Sequence, residues 1–172
     1  MDTVSRLDAL APDEAAAALR RCCGSSRWVE AMIAARPFGT EDGLRAAAAR
    51  AFASLERADW LEAFAHHPRI GDRAALEARF ASTRSWSAAE QGAVGSAGQD
   101  VLEALADANR DYEARFGYVF IVCATGKSPD EMLALARTRL GHDPENELPI
   151  AAAEQRRITE LRLSKLLEGG PA

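Results

Sequence analysis

The stretch QDVLEALADANRDYEARFGYVFIVCATGKSPDE, residues 99–131, decides the fold class of this chain. Its first half carries apolar side chains at helical spacing, and Gly117 ends that pattern. Residues 118–124 are then continuously apolar and rich in side chains that favour strands, but the chain offers no second strand to pair with them. We therefore predict a helix, a buried extended segment and a second helix over this stretch.

Helix boundaries are marked in a similar way on both sides of this stretch. Residues 128–131, SPDE, form a capping box with proline at the first helical position, and Gly141 ends that helix. Nearer the N-terminus, proline opens and glycine closes the helix predicted within residues 12–24. The last helix is predicted over about residues 146–167, and Pro149 must lie in its first turn or kink it. Its inward side chains are predicted to be Ile150, Ile158, Leu161 and Leu166.

These signals predict an all-α fold. No repeat, linker or low-complexity segment divides the 172 residues, and a chain of this length can bury one sizeable core. We expect a single domain over residues 1–172, built as a helical bundle of about eight to ten helices with one buried extended segment. The C-terminal residues 168–172, EGGPA, are expected to be a disordered tail.

Composition and charge argue against several classes of partner. The formal charge is −5 and the sequence pI is about 5.3, without a polybasic run, so no nucleic acid is expected to bind. No apolar run approaches the roughly 20 residues that span a bilayer, and the first residues do not resemble a signal peptide. The three cysteines suggest neither a disulfide framework nor a CxxC metal motif. We therefore expect a cytoplasmic protein that does not bind a membrane.

The sequence AFAHHPRIGD, residues 63–72, contains the strongest candidate for chemistry. Pro68 disfavours helical geometry at His67, so the preceding helix should break and hold one imidazole on a rigid turn. Gly71 and Asp72 would then complete a bend and cap the next helix. A simple helix connector explains the proline, glycine and aspartate, but it does not explain the histidines. Acid/base use of one imidazole does explain them, and both interpretations stay open on these residues alone.

Familiar metal and cofactor motifs do not occur in the chain. Adjacent histidines seldom both reach one metal ion, and the sequence has no HExxH motif and no Cys/His cluster. It also carries no Gly-rich phosphate loop, no G-x-S-x-G elbow and no Cys–His nucleophile pattern. The residues around the histidines therefore favour acid/base chemistry over a metal site.

Further polar positions have both a structural and a functional interpretation. Residues 87–91, SAAEQ, form a capping box through their serine and glutamate, and a helix start of this kind can also bind a polar ligand. Arg162 is either a surface arginine with a buried stem or a guanidinium that holds a carboxylate or ureido group. Asn109 and Tyr112 share one helix face, and we expect both to make buried hydrogen bonds. His142 is interpreted as a half-exposed polar residue.

Taken together, several stretches resemble one family. They are HPRIGD (67–72), SWSAAEQ (85–91), NRDYEARFGYVFIVCATGKS (109–128) and ITELRLSKL (158–166). The combination resembles the family of OHCU decarboxylase, which is 2-oxo-4-hydroxy-4-carboxy-5-ureidoimidazoline decarboxylase. The resemblance covers about residues 5–167, and HPRIGD beside S-x-x-E-Q, in this order and at this distance, is a specific combination.

The resemblance implies an all-α enzyme that is usually dimeric and has neither a metal nor an organic cofactor. The implied reaction is a decarboxylation, the last step from urate to (S)-allantoin, which makes the enzyme a carbon–carbon lyase. The implied partners are the small ureidoimidazoline substrate and a second copy of the chain. A functional link to urate oxidase and hydroxyisourate hydrolase, which act earlier in the same degradation, is implied as well.

The resemblance also implies which residues form the site. The motif histidine of the family corresponds to His67, and together with Glu90 and Arg162 it would carry the catalysis. The implied substrate-binding residues are Pro68, Ser87, Gln91, Phe120, Ile121, Val122, Cys123, Ala124 and again Arg162.

In the implied reaction, His67 acts as the acid/base on the 4-hydroxyl proton, and Glu90 assists protonation of one face of the resulting enol. Ser87, Gln91 and the backbone of residues 120–124 would hold the ureido and ring carbonyl groups, and Arg162 would orient the anionic or ureido end. Two alternatives remain. One is a cofactor-free hydrolase or isomerase acting on another ureide. The other is a non-catalytic helical interaction module.

Overall fold

The helix signals of the sequence correspond to eight helices in the part of the chain that the structure describes. The computed structural model describes residues 2–67 and 95–169. The helices, in chain order, are α1 (Thr3–Ala9), α2 (Pro12–Cys22), α3 (Ser26–Ala34), α4 (Glu41–Ala53), α5 (Arg57–Ala65), α6 (Gly95–Phe116), α7 (Pro129–Leu140) and α8 (Pro144–Leu167). These two ranges contain no strand, which confirms the all-α prediction.

Local capping interactions explain where individual helices begin. The capping box of α7 forms as predicted, because Ser128 Oγ accepts from the Glu131 N–H at 3.2 Å and the Ser128 N–H donates to the Glu131 carboxylate at 2.7 Å. In α3, Ser25 Oγ accepts from the Trp28 N–H at 3.2 Å. These side-chain oxygens satisfy N–H groups that the first turn of a helix leaves unpaired.

Contacts divide the chain into two compact units, of which the first comprises Met1–His66 and Ala152–Ala172. Within it, α3 packs against α2, α4 and α5. Trp28 of α3 is fully buried, and its indole N–H donates to the Ala48 carbonyl of α4 at 3.3 Å. Leu163 of α8 belongs to the same apolar cluster. The unit therefore has its own hydrophobic core, to which helices from both ends of the sequence contribute.

The second unit is His67–Ala151, and in its described part α6 packs against α7. Between these helices, residues 118–124 run without helix or strand pairing, as predicted. The side chains of residues 120–122 are buried. The ring of Tyr112 on α6 packs edge-on against Phe120, with 5.1 Å between the ring centroids. Apolar and aromatic contacts therefore stabilise a non-helical segment that pairs with no strand in the described ranges.

The last helix differs from its prediction in both its start and its buried face. α8 begins at Pro144, so Pro149 lies in its second turn and not in its first. Ile150 is 37% exposed, and the prediction that it points inward was wrong. The other three predicted positions are partly buried. The buried side chains of this helix are Glu147, Leu148, Ala151, Ala152, Gln155, Thr159 and Leu163. This face is made partly of small and polar residues, so apolar spacing alone selected a neighbouring face.

A single domain over residues 1–172 and a disordered tail stay predictions. Of the expected tail, Glu168 and Gly169 form a turn in which their N–H groups donate to the carbonyls of Ser164 and Leu166, at 3.0 and 3.1 Å. Residues 170–172 lie outside the described ranges. Within those ranges, no helix has the length and apolar character that crossing a membrane requires.

Candidate active site

The predicted helix break is present at the two histidines. α5 ends at Ala65, and His66 closes it with a backbone N–H that bonds back to the last turn at 3.3 Å. His67 follows in a bend and is partly exposed. The next residues of the motif, 68–72, lie outside the described ranges. The imidazole of His67 is therefore carried by non-helical backbone, as the following proline predicts.

His66 packs directly over Gly24, in the turn between α2 and α3. A Cβ at position 24 would lie 2.4 Å from Cγ of His66, so the position requires glycine while the ring is in this place. Nearby, Glu62 of α5 accepts from the Ser26 hydroxyl at 2.6 Å and from the Ser26 N–H at 2.9 Å. These hydrogen bonds, assisted by the neighbouring His66, hold the pKa of the Glu62 carboxyl below its ordinary value. The end of α5 is thereby tied to the start of α3.

Replacing Gly24 with alanine should destabilise the protein by about 1–3 kcal/mol, because the added methyl group and the His66 ring cannot both keep their places. Thermal unfolding followed by far-ultraviolet circular dichroism would show a lower Tm. Gly141→Ala is the matched control, since its Cβ would meet its nearest neighbour at 3.4 Å and its φ of −80° suits any residue. Adding His66→Ala to Gly24→Ala should recover part of the loss. A Tm unchanged in Gly24→Ala would contradict the close packing.

Arg162 lies on α8, within the first unit. Its Nη1 donates to the Arg21 carbonyl, near the end of α2, at 3.4 Å. Burial raises the pKa of Cys22 to about 11 and also raises the pKa of Cys23, while the nearby Arg162 cation opposes both shifts. Both thiols therefore stay neutral near pH 7. Among the described residues, the guanidinium has no carboxylate partner, which is compatible with either interpretation of Arg162.

Two cationic side chains hold the backbone of the extended segment. Arg139 Nη1 donates to the Ile121 carbonyl at 2.8 Å. Lys127 Nζ donates to the Cys123 carbonyl at 2.8 Å, and the Lys127 N–H donates to the Ala124 carbonyl at 3.0 Å. The carbonyls of Ile121, Cys123 and Ala124, which lie in the predicted substrate-binding stretch, therefore already accept hydrogen bonds from other groups of the protein.

Phe120 and Val122, in the same stretch, differ from these three residues in their backbone hydrogen bonding. Their side chains are 3% exposed, and within residues 2–67 and 95–169 their backbone N–H and C=O groups make no hydrogen bond. Buried backbone groups are nearly always paired in native proteins. Phe120 and Val122 are therefore the buried residues of 120–124 whose backbone N–H and C=O groups both lack a partner in the described ranges.

Arg139 belongs to a buried polar cluster that the sequence pattern did not predict. Its Nε donates to Glu147 Oε1 at 2.6 Å, and the two side chains are 6% and 0% exposed. The Tyr112 hydroxyl donates to the same carboxylate oxygen, and His142 Nδ1 lies 2.7 Å from the other oxygen. Burial, and next the hydrogen bond to Glu147, raises the pKa of the Tyr112 phenol. The cluster fixes the guanidinium that holds the extended segment.

Asn109 and Tyr112 lie on the buried face of α6 but differ in their hydrogen bonding. Tyr112 is fully buried and hydrogen-bonded, as predicted. Asn109 is 6% exposed, and neither Oδ1 nor Nδ2 has a partner among the described residues. Burying an amide without partners costs about 1–3 kcal/mol in proteins. The prediction that Asn109 is buried is therefore confirmed, but the part of the chain that is described supplies no hydrogen bond for it.

Four of the predicted site residues lie outside the described ranges: Pro68, Ser87, Glu90 and Gln91. The capping box within residues 87–91, and the convergence of its glutamine with His67 and Arg162, therefore stay predictions. Within residues 2–67 and 95–169, no group of three or more histidine, cysteine or acidic side chains is arranged to hold a metal ion.

Comparison with known proteins assigns the family. The model of the OHCU decarboxylase family matches residues 8–164. The uric acid degradation bifunctional protein TTL of Arabidopsis thaliana is 36% identical over 145 residues, which are 84% of this chain and 45% of that protein. The 2-oxo-4-hydroxy-4-carboxy-5-ureidoimidazoline decarboxylase of Haloferax volcanii is 29% identical over 164 residues, which are 95% of each chain.

A solved structure agrees with these relatives. The crystal structure of OHCU decarboxylase in the presence of (S)-allantoin matches with a TM-score of 0.69 and 36% identity, covering 87% of this chain and 96% of that one. The chain thus spans about half the length of the bifunctional relative and nearly all of the other two. Since the family model covers most of the sequence and the helical fold agrees, this chain belongs to the OHCU decarboxylase family.

Proposed function

We propose that this protein decarboxylates 2-oxo-4-hydroxy-4-carboxy-5-ureidoimidazoline to (S)-allantoin in the degradation of urate. The observation that carries the proposal is the 36% identity to an OHCU decarboxylase crystallised in the presence of (S)-allantoin, with 96% of that chain covered. A relative of nearly equal length, 29% identical, is named for the same decarboxylation. The activity is that of a carbon–carbon lyase.

The chemistry of this substrate explains how a protein without a cofactor can perform the step. The carboxylate is attached to a carbon next to a ring C=N group. When CO2 leaves, the electron pair of the broken C–C bond delocalises onto that nitrogen, and an enol results. The protein must then orient the substrate, exclude water and move protons.

We assign the proton transfers to His67 and Glu90. His67 lies on non-helical backbone just after α5, and an imidazole exchanges protons near neutral pH. After CO2 has left and the ring nitrogen has taken up a proton, it accepts the 4-hydroxyl proton as the enol becomes the ring carbonyl of allantoin. Glu90 assists delivery of a proton to one face of the enol, which determines the (S) configuration of the product.

The remaining groups are assigned to substrate binding. Pro68 shapes one wall, and Ser87 and Gln91 hold the ureido and ring carbonyl groups together with the backbone of residues 120–124. Within that segment, we assign the closest contacts to the backbone of Phe120 and Val122, because other protein groups already occupy the carbonyls of the residues around them. Arg162 orients the anionic or ureido end through its planar guanidinium.

We further propose that the protein is a cytoplasmic homodimer that works after urate oxidase and hydroxyisourate hydrolase. Two matched relatives, from Arabidopsis thaliana and Bacillus subtilis, are named as bifunctional proteins of uric acid degradation, which supports the link to that sequence of reactions. Light scattering coupled to size exclusion should give a mass near twice the 18.5 kDa of the chain. A mass of one chain at micromolar concentration would contradict the dimer.

A coupled assay tests the reaction itself. Urate oxidase and hydroxyisourate hydrolase generate the unstable substrate in situ, and circular dichroism follows the appearance of optically active allantoin. We expect a rapid rise of the (S) signal that is proportional to the protein added. Allantoin that forms only at the slow, racemic background rate would contradict the decarboxylase function. Other ureides would then be tested as substrates for hydrolysis or isomerisation.

A further inference from the structure

Asn109 is a buried carboxamide on α6 without a hydrogen-bond partner in the described part of the chain. Its amide has two N–H donors and an acceptor oxygen. A leucine of similar size could be buried at this position without desolvating a polar group, as Leu102 and Leu105 are on the same helix. Native proteins leave few buried polar groups unpaired. An unpaired buried amide therefore indicates a partner outside the described residues, such as a ligand.

The position of Asn109 places it beside the extended segment. Residues three apart on a helix are neighbours on its surface, so the side chains of Asn109 and Tyr112 are adjacent. The Tyr112 ring in turn contacts Phe120, with 5.1 Å between the ring centroids. All of these residues, and His67, belong to the second unit. Asn109 therefore lies within about one helical turn of the contact that holds the start of the segment.

We propose that Asn109 is a substrate-binding residue that recognises the ureido group. A carboxamide and a ureide are complementary, since the Asn109 carbonyl oxygen can accept from a ureido N–H while its NH2 group donates to the ureido oxygen. The paired bonds would satisfy both orphaned atoms at once. The inference deepens the proposed function and rests on it, because it adds Asn109 of α6 to the groups that hold the ureido end of that substrate.

The test compares Asn109→Leu with the unaltered protein. Calorimetric titration measures the affinity for (S)-allantoin and for hydantoin, which has the ring but lacks the ureido group. The coupled assay supplies kcat and KM, and thermal unfolding without ligand supplies Tm. Leu105→Met is the matched control on the same buried face, because it conserves volume and removes no polar group.

For Asn109→Leu we expect a Tm at or above that of the unaltered protein, because the orphaned amide is gone. Affinity for (S)-allantoin should fall by about tenfold or more, as befits the loss of two hydrogen bonds, while affinity for hydantoin stays unchanged. KM should rise by a similar factor with little change in kcat, since a contact made equally in substrate and transition state affects binding alone. Leu105→Met should match the unaltered protein in both affinities.

Two results would overturn the inference. One is an Asn109→Leu variant that binds (S)-allantoin with unchanged affinity. The other is a marked fall in Tm without ligand, which would show that the amide has a structural partner inside the protein. If Asn109→Leu does not fold, Asn109→Ala gives the same comparison of the two ligands, and equal losses for both would contradict ureido recognition.

The titrations also separate this inference from the proposed function. If the unaltered protein shows no decarboxylase activity, the proposed function fails. A selective loss of (S)-allantoin affinity in Asn109→Leu would still support a ureide site at this position.

Discussion

Replacing His67 with alanine should lower kcat of the proposed decarboxylation by about 10²–10⁴-fold, the usual contribution of a well-placed acid/base group. The imidazole is the group that we assign to the 4-hydroxyl proton, and an alanine side chain cannot exchange that proton. The coupled circular dichroism assay measures the loss as a slower rise of the (S)-allantoin signal.

The adjacent histidine provides the control for this experiment. His66 is exposed and contacts Gly24, so His66→Ala should affect Tm while it keeps most of the activity. Both variants should be folded at the assay temperature, as shown by their far-ultraviolet spectra. A loss of less than tenfold in His67→Ala would remove His67 from the mechanism. Equal losses in both variants would point to a disturbed turn and not to lost acid/base chemistry.

Replacing Arg139 with methionine should lower the free energy of unfolding by about 3–5 kcal/mol, because it leaves the fully buried Glu147 carboxylate without its cation. The change also removes the side-chain donor of the Ile121 carbonyl. Domains typically unfold with a free energy of about 5–15 kcal/mol, so the expected loss is a large share of the total stability. Urea unfolding followed by circular dichroism measures the difference.

An exposed ion pair of the same protein is the matched control. Arg156 on α8 pairs with Glu160 at 2.9 Å, and both side chains are more than half exposed, at 54% and 52%. Arg156→Met should therefore change the unfolding free energy by about 1 kcal/mol or less. Arg139→Lys should fall between the two, because lysine supplies the charge but not the fork that reaches both Glu147 and Ile121. Similar stability of Arg139→Met and Arg156→Met would contradict a structural role of the buried cluster.

Several features of the fold were predicted correctly because local sequence decides them. The capping box at Ser128 and Glu131 is an interaction between residues three apart, and it needs no tertiary contact. The break of α5 before Pro68 follows from the clash that proline imposes on the preceding residue. The extended segment over residues 118–124 could be predicted because a continuous apolar run must be buried even where no second strand is available.

The errors and omissions concern choices that local sequence does not decide. Ile150 was expected inside and is exposed, because the buried face of α8 contains polar side chains such as Gln155 and Thr159. His142 was correctly expected to be partly exposed, but its contact with Glu147 was not foreseen. Charged side chains on helices are usually solvated, so nothing in their spacing indicated that Arg139 and Glu147 would be buried together.

The features of the candidate site also separate into those that local sequence determines and those that tertiary contacts determine. The sequence by itself determined the helical class, the non-helical setting of His67 and, through its motifs, the resemblance to the family, because these depend on local backbone preferences and on residue identity. The tertiary structure alone decided that the His66 ring covers Gly24, that Arg139 holds the Ile121 carbonyl, and that the Asn109 amide has no partner among the described residues. Such contacts join residues that are distant in the chain, or they depend on what covers a helix face. Their energies depend on desolvation, which occurs only after the fold has brought the groups together.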